Sequence, residues 1–227
     1  KILSRFTSEK IKVVLSGDGG DELFGGYNRY VLIDKISKIF FNIPSNLKNI
    51  IVKIILSIPN TGYDMINNNI NKLFNLKKFE HIGDKIHKVG RKLINSKNLD
   101  ELYINLLIEW DNDDNLFKDK TNSIKLNYLR NYTQFKTNDK IYNMSYFDTK
   151  TYLPDDILCK VDRSSMSYGL ETRAPFLDLD VVKFAYNLPS SAKVQKNKNK
   201  IFLRKYLQKY LSNQLIDRPK MGFGIPI

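Results

Sequence analysis

The sequence predicts an α/β fold that tends to mostly α. Two features carry this prediction. One short apolar run, IKVVLS, is rich in β-branched residues and is followed by glycines, a pattern typical of a buried parallel strand. Most later apolar residues recur at helical spacing. A hydrophobic content of 42% over 227 residues is enough for a sizeable core.

The chain is predicted to begin with one strand and two helices. The strand covers residues 11–16, and a glycine-rich turn follows it. Helical spacing predicts a helix over residues 27–43, interrupted at Pro44, and a second helix that runs up to Pro59. The asparagine-rich residues 60–72 have no clear period, so we expect a loop there.

The rest of the chain is predicted to be mainly helical. The stretches FEHIGDKIHKVGRKLINS and NLDELYINLLIEW have helical spacing, and the polar residues 111–124 indicate a loop. Further helices are expected around residues 144–152, 155–168 and 178–187, and in KIFLRKYLQKYL. ETRAPFLD is expected to be an extended link, because a proline disfavours helix at the residue before it. RPKMGFGIPI ends the chain as a loop.

Composition excludes several classes of protein. A single cysteine, Cys159, excludes an internal disulfide framework and a four-cysteine zinc site, and two histidines, His81 and His87, are too few for a histidine cluster. No apolar run is long enough for a membrane span, and the first residues lack a secretory signal. We therefore expect a cytoplasmic protein. The net charge of +13 fits phosphate-bearing partners, but the Lys and Asn excess is spread along the chain and indicates compositional drift.

The stretch VVLSGDGGDELFGGYNRY, residues 13–30, indicates a metal–nucleotide site. Glycines after a strand expose backbone N–H groups at the sheet edge where α/β folds bind anions. Three carboxylates (Asp18, Asp21 and Glu22) would repel a bare phosphate. A bridging Mg²⁺ removes the conflict, because it binds carboxylate and phosphate oxygens together. The alternative is a glycine-rich turn with a capping aspartate.

SGDGGDELFGGY closely resembles the second signature of the asparagine synthetase family. Three more stretches match in order: LPDDILCKVDRSSMSYGLETRAPFLD, FLRKYL and RPKMGFGIPI. The resemblance implies an adenine-nucleotide α-hydrolase-like (ATP-pyrophosphatase) domain that lacks its first strands. Residues 1–227 would be the C-terminal part of such a synthetase domain, with the strand and signature loop at residues 11–30 and a helical remainder.

The resemblance also implies a reaction and the residues that serve it. Family members adenylate the side-chain carboxylate of aspartate with ATP and Mg²⁺, and ammonia from a glutaminase domain then attacks. Ser16, Gly17 and Gly19 would lie against ATP. Asp18 would help to form the acyl-adenylate, and Asp21 and Glu22 would bind the metal. Lys220 would offset the negative charge of the phosphates.

The middle signature supplies candidates for substrate binding. Asp156, Arg163 and Glu171 could recognise an amino-acid substrate, or they could form ion pairs that fix helices around the cleft. For Arg173 and Asp178 we favour the structural interpretation. The structural and substrate-binding interpretations of the first three residues stay open on sequence alone.

Two features of the family are not found in the sequence. The first phosphate loop, an SGGxDS-type turn, does not occur, and relatives continue beyond GFGIPI. We expect that loop, the first strands and the glutaminase domain to lie upstream of Lys1, and we expect the 227 residues to be inactive on ATP by themselves. A homodimer is the oligomer considered for the full-length protein.

Two further hypotheses are considered, one within the same chemistry and one from another class. A related amidotransferase would act on a sugar carboxylate in surface polysaccharide biosynthesis. A non-catalytic basic module would bind nucleic acid, but no recognised motif supports it, so the expected partners are ATP, a carboxylate and ammonia, without nucleic acid or a membrane. A degenerate scaffold is a third option, because Asp18 stands where many relatives carry glutamate.

Overall fold

The computed structural model describes residues 1–39, 43–74, 82–108, 137–195 and 198–217. The chain forms two compact units, one of residues 1–31 and 137–227 and the other of residues 32–136. Both units are mainly helical. This matches the predicted tendency toward mostly α.

The first unit contains all of the strands among the described residues. In chain order, its first elements are α1 (Ile2–Ser8), β1 (Val13–Leu15), α2 (Gly20–Phe24) and the start of α3 (Asn28–Ile39). The later elements are α8 (Lys140–Lys150), a π-helical segment (Leu153–Leu158), α9 (Cys159–Met166), β2 (Glu171–Arg173), a 3₁₀ turn (Pro175–Leu177), α10 (Leu179–Asn187), α11 (Ser190–Lys193), α12 (Ile201–Leu207) and α13 (Asn213–Ile216).

The sheet differs from its prediction in two respects. Strand β1 is parallel as expected, but it pairs with β2, in a segment predicted to be only an extended link. The β-branched Thr172 and the extended bias before Pro175 favour a strand there. Strand β1 is also not buried, since Leu15 is 70% exposed. Within the described residues, β1 has one neighbouring strand, β2.

The core of the first unit packs against α2. Leu23, Phe24 and Ala185 are its fully buried centre. The Phe24 ring contacts Phe176 edge-on at 5.6 Å and stacks on Phe202 at 6.1 Å between ring centroids. Aromatic contacts of this kind add to the area that they bury. The helix that follows the glycine-rich turn is therefore packed into the core of the first unit.

The second unit contains the rest of α3 together with α4 (Ser45–Ser57), α5 (Asn60–Phe74), α6 (Ile82–Ile94) and α7 (Leu99–Leu107). The prediction of a loop at residues 60–72 is wrong, because α5 covers them. Asparagine is only a weak helix breaker, and packing on α6 decides the conformation. Gly83 of α6 shows how close the two helices lie: an added Cβ would come within 2.2 Å of the Asn60 carbonyl oxygen.

Other predicted elements are confirmed. The helices predicted in residues 27–43, before Pro59 and in the two stretches after residue 78 correspond to α3, α4, α6 and α7. The helices expected in the last third correspond to α8 to α10 and α12, with shifted ends. The predicted loops at residues 111–124 and 218–227 lie outside the described residues. None of the helices described has the length and apolar character that a membrane crossing requires.

Candidate active site

The predicted strand–turn–helix unit is present at residues 13–24. Strand β1 ends at Leu15, and the Ser16 backbone N–H donates to the Arg173 carbonyl of β2 at 2.8 Å. The acidic turn, as we call it, consists of residues Ser16–Glu22: it starts directly after β1 and includes the first three residues of α2. Gly19 has φ +85°, a left-handed conformation that favours glycine. An added Cβ at Gly19 would also lie 2.3 Å from Leu177 Cδ2.

The acidic turn has features that fit a phosphate ligand. The Ser16 hydroxyl is buried and has no hydrogen-bond partner in the part of the chain that the structure describes. At Gly17 an added Cβ would meet nothing within 4 Å. A buried orphan hydroxyl beside open backbone is an arrangement that a polar ligand would satisfy.

Asp21 presents a partly exposed carboxylate on α2. Its Oδ1 atom forms an ion pair with Lys200 Nζ at 2.9 Å, and the Asp21 side chain is 31% exposed. Lys200 has φ +51°, and no other non-glycine residue among those described has positive φ. Asn199 fastens this segment, because its Nδ2 donates to the Gly26 carbonyl at 2.7 Å. The result is a carboxylate and an ammonium side by side.

Glu22 has a different environment from its neighbour. It is 2% exposed, and its Oε1 accepts from the Tyr27 hydroxyl at 2.5 Å. Burial raises the pKa of the Glu22 carboxyl, although the bond from Tyr27 partly opposes that rise. Burial, and then the bond to Glu22, raise the pKa of Tyr27. The two adjacent carboxylates therefore have separate surroundings.

Two predicted catalytic residues remain, Asp18 in the turn and Lys220 near the end of the chain. Asp18 is partly buried in the turn and next to Gly19, and the described residues hold no cluster of three metal-ligating side chains. One or two carboxylates are enough for Mg²⁺ when phosphates supply further oxygens. Lys220 lies outside the described residues.

The predicted substrate-binding residues lie on three separate elements. Asp156 is in the π-helical segment, where it pairs with Lys160 at 3.2 Å on the surface, and Arg163 is exposed on α9. Glu171 begins β2 opposite Val13, whereas the acidic turn follows the other end of β1. Arg173 pairs with Glu171 at 2.7 Å. Asp178 caps α10 by accepting from the Asp180 N–H, which fits its structural interpretation.

Sequence reasoning missed two features of this region. Lys200 contacts the acidic turn from far along the chain, and no local pattern announces such a contact. The π-helical segment Leu153–Leu158 includes residues 155–158, the start of the ordinary helix predicted over residues 155–168. Such segments are rare and frequently occur at functional sites. Cys159 follows as a free, partly buried thiol in α9.

Comparison with known proteins covers nearly the whole chain. It is 29% identical to asparagine synthetase [glutamine-hydrolyzing] 1 of Bacillus subtilis over 228 residues, which is 99% of this chain and 32% of that protein. A putative asparagine synthetase [glutamine-hydrolyzing] of Mycobacterium bovis is also 29% identical over 226 residues, or 31% of its length.

The chain therefore spans about a third of the length of these curated relatives. No solved structure matches the chain. The model of the asparagine synthase family matches residues 2–227, and the chain belongs to that family.

Proposed function

We propose that the chain is part of an ATP-dependent ligase that forms an amide from a carboxylate and ammonia. The family is one of carbon–nitrogen ligases with an ATP-pyrophosphatase-type domain. The observation that carries the proposal is the acidic turn at the carboxyl end of β1. There, the partly exposed Asp21 and the orphan hydroxyl of Ser16 lie within six residues of each other.

The residues of the turn fit a magnesium–nucleotide. The Ser16 hydroxyl and the open backbone at Gly17 would take phosphate oxygens, with the close-packed Gly19 beside them. Asp21 would hold the cation as a hard oxygen ligand. Glu22 is the weaker metal candidate, because its carboxyl is buried and bonded to Tyr27. When bound, Mg–ATP would supply the adenylyl group that is transferred to the carboxylate, with pyrophosphate as the leaving group.

The proposed roles of Asp18 and Lys220 come from the family resemblance and are chemically consistent. Asp18 would assist formation of the acyl-adenylate beside the nucleotide. The Lys220 ammonium would offset negative charge on the phosphates as the leaving group departs, since preorganised charge is usually the largest catalytic contribution. These roles rest on the resemblance of the two segments.

We propose free aspartate as the carboxylate substrate, with Asp156, Arg163 and Glu171 as its binding residues. Ammonia would come from glutamine in the complete protein, since the relatives are named as glutamine-hydrolysing enzymes. We also propose that the complete protein is cytoplasmic and forms a homodimer. The comparisons give no support to a nucleic-acid-binding module or to a sugar carboxylate.

Nucleotide binding tests the site directly. Isothermal titration of the complete protein with a non-hydrolysable ATP analogue should show binding that requires Mg²⁺. Asp21→Ala should weaken that binding at least about tenfold, because a ligand carboxylate is lost. Asp180→Ala is the matched control, since this carboxylate is 92% exposed on α10 of the same unit. Equal affinity in Asp21→Ala, or binding indifferent to Mg²⁺, would refute the site.

Pyrophosphate release tests the substrate. The complete protein should release pyrophosphate with aspartate and ammonia, and not with uronic acids. If pyrophosphate were released with uronic acids and not with aspartate, the proposed ligase reaction would stand, but aspartate would not be its substrate.

A further inference from the structure

We propose that Asp148, Arg29, Tyr27 and Glu22 form a chain of positioning residues that fixes the acidic turn, so that Asp21 faces outward to bind the metal–nucleotide. The metal–nucleotide part of this inference rests on the proposed function. None of the first three residues was a predicted site residue. They connect α2 to α8 through the start of α3.

The acidic turn needs support from outside itself. Strand β1 has three residues and α2 has five, with left-handed glycines at both ends, Gly19 at φ +85° and Gly25 at φ +69°. A helix this short is not stable by its own hydrogen bonds. Its position and rotation must therefore come from tertiary contacts.

Glu22 is the point at which α2 is held. Its side chain accepts from the Tyr27 hydroxyl at 2.5 Å, and its backbone carbonyl accepts from the Ser145 hydroxyl at 2.6 Å. The Ser145 side chain is fully buried on α8. Both the side chain and the backbone of one residue are thus fixed.

The contacts continue from Tyr27 to α8. The Arg29 guanidinium carbon lies 3.8 Å from the centroid of the Tyr27 ring and 4.9 Å from that of Tyr152. Arg29 Nη2 then donates to Asp148 Oδ2 at 2.6 Å, and the Asp148 side chain is 0% exposed. The Tyr30 hydroxyl donates to the same oxygen at 2.5 Å.

This geometry keeps the two adjacent carboxylates apart. Neighbouring helix residues point about 100° away from each other around the axis. Holding Glu22 inward therefore turns Asp21 toward the surface, where it meets Lys200. A buried carboxylate such as Asp148 is costly without its cation. Loss of Arg29 or of Asp148 would therefore remove the contact that anchors this row of positioning residues to α8.

Hydrogen exchange tests the positioning without any nucleotide. Tyr27→Phe removes only the hydroxyl. Amides of residues 17–25 should then exchange on the order of tenfold faster, as expected for losing a hydrogen bond to a carboxyl group. Tyr63→Phe is the matched control, because its hydroxyl donates to the Ile55 carbonyl at 2.9 Å in the other unit. Asp148→Asn should give the same local increase as Tyr27→Phe or a larger one.

Two exchange results would overturn the inference: unchanged exchange at residues 17–25 in Tyr27→Phe, or an equal increase throughout the first unit. Titration with Mg²⁺ and the ATP analogue adds the functional readout, and Tyr27→Phe should bind several-fold more weakly while Tyr63→Phe matches wild type. Equal binding by wild type and Tyr27→Phe would also overturn it. If wild type binds no nucleotide but the local exchange effect is present, the proposed function fails and the positioning of the turn stands.

Discussion

Replacing Lys193 by methionine should stabilise the protein at neutral pH. Lys193 ends α11 and is 1% exposed, yet its ammonium has no hydrogen-bond partner among the described residues. It lies 5.0 Å from the centroid of the Tyr186 ring. Methionine keeps most of the apolar stem and removes the charge that burial penalises.

The size and the pH range follow from the Lys193 pKa. Burial lowers it from 10.5 to about 8, and attraction to Asp139 opposes only part of that change. The difference corresponds to about 3 kcal/mol as an upper bound. The unfolded chain binds the proton more tightly, so the penalty is complete below pH 8. It disappears as the pH rises from 8 to 10.5.

Urea unfolding at pH 7, 9 and 10.5, followed by far-ultraviolet circular dichroism, measures this effect. Lys193→Met should exceed wild type by up to about 3 kcal/mol at pH 7, and the gap should close toward pH 10.5. Lys205→Met, an exposed lysine of α12, should stay within about 0.5 kcal/mol of wild type. Destabilisation by Lys193→Met at pH 7, or a gap that does not change with pH, would refute the reasoning.

Two substitutions test other contacts. Gly26→Ala should weaken Mg²⁺-dependent nucleotide binding, by no more than Asp21→Ala does and with the helix signal in circular dichroism retained. The new Cβ would lie 1.8 Å from Asp21 Oδ1 and 2.4 Å from Lys200 Cε, so that both side chains must move. Wild-type affinity in this variant would contradict the placement of Asp21. Asn98→Ala should lower the free energy of unfolding of the second unit by about 1 kcal/mol, because the Asn98 side chain caps α7 by accepting from the Glu101 N–H. Asn98→Ser should recover most of that loss in the same urea titration, and no difference between Asn98→Ala and wild type would count against the cap.

The elements that could be predicted were those with strong local signals. The apolar run before Ser16 and the glycines after it predicted β1 and its turn, and helical spacing predicted α3, α4, α6 and α7. Proline marked real boundaries as well, since α4 ends at Ser57, two residues before Pro59. In these segments the local pattern and the tertiary packing agree.

The features that could not be predicted depend on partners distant in the chain. Strand β2 has three residues, too few to show a period, and it exists by pairing with β1. Helix α5 has a polar sequence and forms against α6. The contacts of Lys200 with Asp21 and of Arg29 with Asp148 join residues more than a hundred positions apart. Charged residues are common in this chain, so no local signal identifies which of them form these two pairs.

The two left-handed glycines around α2 make the number of residues between them matter more than their identity. Adding or deleting one residue between Gly19 and Gly25 would rotate everything beyond that point by about 100°. A change before Asp21 would redirect the Asp21 and Glu22 carboxylates relative to the Ser16 hydroxyl, because Ser16 precedes Gly19 and is held by its backbone bond to β2. A family member that differs in length here should have lost this ligand site even if every acidic residue were still present.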